Sequence, residues 1–249
     1  MLETKTRLIG KKRILDLLTV RSFAYTLLKR FLIEESTKGF LNILIEEELL
    51  DQFPWAGENG DIRDGLEALT FFLRDPELLT PGTLTKLESD YLSLFIGTGR
   101  LKAPPWESVY LSQRKIVYQE HTLAVREAYA RAGYRAKNMG REPDDHIALE
   151  LDFMASLTDE AAKAFRAGKL YKAKKALMAQ KDFLSDHILK WAPKLADNII
   201  ESAATDYYRG IARLLLGLIQ VDKGALSELL DQIAARIKKE RQKNRLKVV

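Results

Sequence analysis

The stretch LESDYLSLFIGTGRLKAPPWESVYLS, Leu87 to Ser112, decides how the rest of the chain is read. Its first half has helical spacing: Leu87, Tyr91, Leu94 and Phe95 fall on one broad face. The pattern breaks at Gly97 and Gly99 and opens into a loop centred on Pro104, Pro105 and Trp106. Glu107 and Tyr110 follow closely. An aromatic beside a stiff diproline suits a binding surface, because little chain entropy is lost on docking. The same residues also suit a plug that pins the loop to the core, and residue chemistry does not separate the two. Val109-Tyr110-Leu111 is the nearest thing to a strand, a short one at most.

Outward from this stretch, almost every segment carries a period near 3.6. Helices are predicted over 13–34, 38–52 and 61–74, the third capped by Asp61 and burying Ile62, Leu66 and Leu69. Thr80-Pro81 reads as an N-cap followed by proline in the first helical position. After the loop at 97–113 come helices over 114–132, 145–167 with Asp144 as N-cap, 170–191, 194–217 opened by Pro193, and one starting near residue 222. No fixed-period repeat and no low-complexity linker is present. The expected fold is all-α, a single globular domain of about nine or ten helices. The expected division is a helical domain over 1–235 and a basic tail over 236–249.

Composition narrows the function. The chain has 249 residues with 46% hydrophobic and 30% charged content, ample for a core. There is no cysteine, hence no disulfide, thiolate metal site or thiol nucleophile. Three histidines, His121, His146 and His187, are too few for a histidine-rich metal centre. No signal peptide and no run of 18 apolar residues is found, so a cytoplasmic protein is expected. Arg236 to Lys247 carries seven basic residues against Glu240, a charge of +6 within a chain of +5, which leaves the body at −1. The basicity belongs to the tail, as a solvated helix end or a phosphate-binding arm.

Enzyme signatures are missing. Gly97-Thr98-Gly99 starts like a dinucleotide loop, but Lys102 holds the third glycine position and no strand precedes it. There is no GxxxxGK[ST], HExxH or GxSxG. Glu142, Asp144, Asp145 and His146 could form an acid–base group; a helix cap with a first-turn carboxylate explains the two aspartates as well. His187 stands four residues from both Phe183 and Trp191, on one helical face. His121 follows Glu120 in a helix and has no special surroundings.

Six segments in order carry a family resemblance: Arg21-x-x-x-Tyr25-x-x-Leu28, Glu88-x-x-Tyr91-x-x-Leu94-Phe95, Pro104-Pro105-Trp106-Glu107-Ser108-Val109-Tyr110, Glu142-Pro143-Asp144-Asp145-His146, Phe183-Leu184-x-x-His187-x-x-x-Trp191-x-Pro193 and Tyr207-Tyr208-Arg209. Together they resemble the TorD/DmsD family of redox-enzyme maturation chaperones, its DmsD-like branch most of all. The resemblance implies a TorD-like all-helical fold and a chaperone, not an enzyme. Its implied partner is the twin-arginine leader and apo form of a molybdenum-cofactor oxidoreductase, held until cofactor insertion is complete. No cofactor of its own is implied. Weak guanine-nucleotide or cofactor contact is implied by family resemblance alone, with no phosphate loop to support it. A monomer or a domain-swapped dimer is allowed, and no stable nucleic-acid complex is expected.

Carried over position by position, the leader-binding candidates are Tyr91, Trp106, Glu107, Tyr110, Glu142, Asp144, Asp145 and His146, with Glu88, Phe95, His187 and Trp191 as secondary ones. Carboxylates would meet the two guanidinium groups and aromatics the apolar stretch behind them. The segments around Trp106 and around Asp145-His146 should then line one cleft. Competing readings are a chaperone for a non-exported nitrate-reductase-type molybdoenzyme and a nucleic-acid-binding protein using the tail. The residues from Arg236 onward and the first thirteen lie outside the resemblance.

Overall fold

A computed structural model describes residues 8–97, 101–112, 120–135 and 142–246. Among them are ten α-helices and no strand: α1 (Lys11–Ile33), α2 (Lys38–Glu46), α3 (Gly60–Leu73), α4 (Pro81–Tyr91), α5 (Glu107–Leu111), α6 (Glu120–Arg131), α7 (Ile147–Arg166), α8 (Leu170–Phe183), α9 (Leu189–Ser202) and α10 (Asp206–Arg245). Two π turns extend helices, Leu92–Ile96 after α4 and Leu184–Ile188 between α8 and α9. The all-α expectation holds. Gly99, Gly140, Arg141 and Lys247 lie outside the described residues.

α10 organises the packing. Against it lie α3, α9, α8 and α1, while α7 packs between α1 and α8. The crossing with α3 is close. A Cβ on Gly217 would stand 2.5 Å from Ile62 Cγ1 and 2.9 Å from the Ile62 backbone nitrogen. One on Gly210 would stand 2.8 Å from Leu69 Cγ. Only glycine lets these two backbones meet so nearly. This corrects the expected boundary at 217: the helix runs through Gly217, and Gly217 serves the α3 contact.

Pro193 likewise does not start a helix. It sits inside α9 as its fifth residue, one turn beyond the π turn. A proline is tolerated where the hydrogen-bond ladder is already irregular. The true break comes at Ala203–Thr205, and it is fastened from outside. Asp90 at the end of α4 accepts the backbone N–H groups of Ala204 (2.9 Å) and Thr205 (2.8 Å) and the Thr205 hydroxyl (2.7 Å).

A fully buried charge network in the core joins α1, α8 and α10. Arg21 on α1 reaches Asp222 on α10, donating from Nη2 at 2.9 Å besides an Nε contact. It also donates to Gln180 on α8 at 2.7 Å. The Tyr25 hydroxyl donates to Asp222 at 2.7 Å. Arg21 and Tyr25, one motif in the sequence, thus tie α1 to the middle of α10.

The basic end of α10 stays helical to Arg245. Arg236 donates to the Ile9 carbonyl, Ile237 is buried, and Arg241 lies over the Tyr171 ring. A groove of about 460 Å³ there is lined by Tyr171, Lys174, Lys238, Arg241 and Arg245 among others.

Candidate functional site: crossed loops over a buried acid–histidine cluster

The loop 101–106 meets the segment 142–146, a turn in which the His146 N–H donates to the Pro143 carbonyl at 3.1 Å. Trp106 and His146 form an isolated antiparallel bridge. The Ile147 N–H donates to the Pro105 carbonyl at 2.8 Å, and the Glu107 N–H to the Asp145 carbonyl at 3.0 Å. The Trp106 and His146 rings meet edge to face at 6.0 Å. The two segments expected to share a cleft are therefore bonded to each other. The pairing residue is Trp106; Val109 to Leu111, read as a short strand, are helix α5.

That five-residue helix exists because it is capped from the other segment. Its own N-cap, Trp106, offers no side-chain acceptor. Asp145 supplies one: Oδ2 accepts the Ser108 N–H at 2.8 Å, satisfying a first-turn donor that lacks an intrahelical partner. Asp145 is fully buried, and its Oδ1 makes no hydrogen bond among the described residues. Asp144 does not cap α7 either. His146 does, its Nδ1 accepting the Ala148 N–H at 3.1 Å. Asp144 instead pairs with Arg126 on α6, and its backbone carbonyl accepts the Tyr129 hydroxyl at 3.0 Å.

Beneath the crossing lies Glu107, 1% exposed. His187 Nδ1 stands 3.1 Å from its Oε2, and His121 Nδ1 stands 3.7 Å from its Oε1. All three histidines of the chain gather at this site. The π turn 184–188 carries His187, whose ring stacks on Phe183 at 4.7 Å. Glu150 on α7 completes the cluster, accepting the Trp191 indole N–H at 3.2 Å. Burial, then the charges of Glu107 and Asp145, push the Glu150 carboxyl well above the usual carboxylate range. Burial also lowers His146 to about 4, so that imidazole stays neutral and can cap α7.

These opposite shifts act differently on stability. His146 titrates lower when folded, so its contribution is lost as pH falls from the unfolded value near 6.5. Glu150 titrates higher when folded, so stability is lost as pH rises above the unfolded value near 4.5. Glu150→Gln keeps an acceptor for Trp191 and removes the second effect. The variant should gain on the wild type by up to about 1.4 kcal/mol per pH unit from roughly pH 4.5 until the raised folded value is passed, and by nothing more beyond it. Denaturant unfolding at several pH values checks this; a pH-independent difference would refute the upward shift of Glu150.

The remaining candidates divide into core and rim. Tyr91 and Phe95 are buried, ringed by one another and by Tyr208 at 5.2, 6.1 and 6.0 Å. Trp191 is fully buried, and the half-buried Tyr110 lies on it at 5.4 Å. At the surface are Glu88, Glu142 and part of Trp106, with the exposed apolar residues Leu92 and Ile96 on the other π turn. Burial raises the Glu142 carboxyl somewhat, and the Trp106 indole N–H opposes the shift. The free carboxylates at the rim are thus fewer than the sequence suggests. Asp144, Asp145 and Glu107 already have partners inside the chain. His121 and Arg126 were not among the candidates; only their contacts across the fold single them out. Among the described residues no group of His, Asp or Glu is arranged to hold a metal ion, and no helix is long and apolar enough to cross a membrane.

The architecture is that of an all-α domain with two paired loop segments over a buried cluster of acids and histidines. The sequence profile of the family described as nitrate reductase delta subunit matches residues 59–197, more than half the chain. The chain belongs to that family, which it shares with the TorD and DmsD chaperones. It is 35% identical over 147 residues to "Chaperone protein TorD" of Vibrio cholerae serotype O1, a match covering 59% of this chain and 65% of the relative. It is 29% identical over 143 residues to "Probable Tat proofreading chaperone DmsD" of Haemophilus influenzae, covering 57% and 63%. A longer match, 24% identical over 202 residues, covers 81% of this chain and 92% of "Chaperone protein TorD" of Vibrio atlanticus. With the first two relatives, the matched span is just under two thirds of their length.

Proposed function

We propose that this protein is a cytoplasmic chaperone that binds the twin-arginine leader of a molybdenum-cofactor oxidoreductase and delays its export until the cofactor is in place. It works by binding and turns over no substrate. The observation that carries the reading is the bonded crossing of the Pro-Pro-Trp loop with the Pro-Asp-Asp-His segment. It sets the part-exposed Trp106 beside the exposed Glu142, an apolar surface next to a carboxylate. A leader offers two guanidinium groups and then an apolar stretch, which is the matching order. The names of the TorD and DmsD relatives support the same role. Titration calorimetry with leader peptides should give a dissociation constant of about 1 µM or lower, near −8 kcal/mol. Absence of heat with every twin-arginine leader, together with copurification of no oxidoreductase, would sink the proposal.

A second reading follows from the profile's own description: the client is a nitrate-reductase-type enzyme without an exported leader. The enzyme that copurifies from the native host, with or without a twin-arginine leader, decides between the two.

A further inference from the structure

Asp144 stands at the mouth of the crossed loops, and its side chain is 6% exposed. A carboxylate so far from water needs a cation beside it. The cation here is the chain's own Arg126, whose side chain is 51% exposed and whose Nε donates to Oδ2. One end of this pair is thus fixed and buried, and the other is wet and replaceable. Arg126 is also not what holds α6 down. Tyr129, on the next turn of the same helix, is buried and donates its hydroxyl to the Asp144 carbonyl at 3.0 Å, and Val125 is fully buried beside it. Arg126 can therefore swing away while α6 stays docked.

We infer that Arg126 is an internal stand-in for an arginine of the ligand, and that a guanidinium-bearing peptide docks by displacing it from Asp144. This rests on the function proposed above and adds how the site is kept closed. Exchange of one guanidinium for another never leaves Asp144 bare, so the ion pair is conserved and only the donor changes. Glu142, exposed and two residues earlier in the chain, is the second carboxylate for the displaced Arg126 or the second arginine of the ligand. Lysine is a poorer substitute, because its ammonium lacks the planar fork and holds water more tightly. The site should therefore discriminate arginine from lysine at Asp144.

The test compares the wild type with Arg126→Gln in two assays. In the first, a twin-arginine leader peptide is titrated into each. If Arg126 occupies Asp144 about nine-tenths of the time, its removal should tighten binding about tenfold. In the second, thermal unfolding is followed in millimolar arginine amide or lysine amide, which needs no leader. Arg126→Gln should be stabilised by arginine amide more than by lysine amide, and more than the wild type is. Unchanged or weaker leader binding by a cooperatively folded Arg126→Gln overturns the inference, as does equal response to the two amides. Should Arg126→Gln fail to fold, Arg126→Lys takes its place, with tightening of two- to threefold expected and none overturning the idea. If no leader binds the wild type, the proposed function fails, and the amide assay still decides the exchange at Asp144.

Discussion

Asp222→Ala should lose about 3–5 kcal/mol of unfolding free energy, most of the stability of a domain held by 5–15 kcal/mol. Arg21 and Asp222 are both wholly buried, and the substitution leaves the guanidinium without its counter-charge. Tyr25 loses its acceptor as well. Urea unfolding gives the number directly. The cost should come from the orphaned charge and not from the lost aspartate as such. Arg21→Met combined with Asp222→Leu should thus recover the share of the loss that comes from the charge, since apolar groups of similar size replace buried ion pairs at little expense, while the Tyr25 hydroxyl stays without its acceptor. A double variant as weak as the single one would mean that the network itself stabilises the fold.

Asp145→Ala acts at the site. It removes the Ser108 acceptor and leaves a buried N–H unsatisfied, at about 1–3 kcal/mol. Without that bond α5 has no cap, and Trp106 and Glu107 are held against the 142–146 segment by the two backbone bonds alone. Leader affinity should fall at least tenfold, about 1.4 kcal/mol. Asp145→Asn keeps an oxygen acceptor for Ser108 and should retain most of both. If the asparagine variant loses leader binding while staying as stable as the wild type, the Asp145 charge meets the ligand directly, and its role as a clasp is secondary.

Much of the helical order was legible from periodicity. Thr80-Pro81 does start α4, with the Thr80 hydroxyl accepting the Thr83 N–H. The first helix also followed from residue patterns, and the resemblance implied that the Trp106 loop and the 142–146 segment lie close together, without their backbone pairing. What stayed hidden depends on contacts between distant residues. Asp61 and Asn59 are both good caps, and the structure uses Asn59, which accepts the Ile62 N–H and so sets where α3 begins beside Gly217. Gly217 looks like a stop until α3 is seen to lie on it. Asp222 meets Arg21 across about two hundred residues of chain, a pairing that no local pattern shows. At the site, a list of acids does not tell which are already paired. Arg126, His121 and Ser108 take up Asp144, Glu107 and Asp145, and none of the three stands near its partner's motif in the sequence. Helix α5 was misread for the same reason, because its cap comes from another segment.

The most direct measurement places a photo-crosslinking residue immediately after the arginine pair of a twin-arginine leader and maps its adducts on the wild-type protein by mass spectrometry. The account predicts adducts within Pro104–Glu107 and Glu142–His146, lost together in Trp106→Ala with Glu142→Gln while thermal stability is kept. Adducts confined to another face, such as the groove lined by Tyr171 and Arg241, would contradict it.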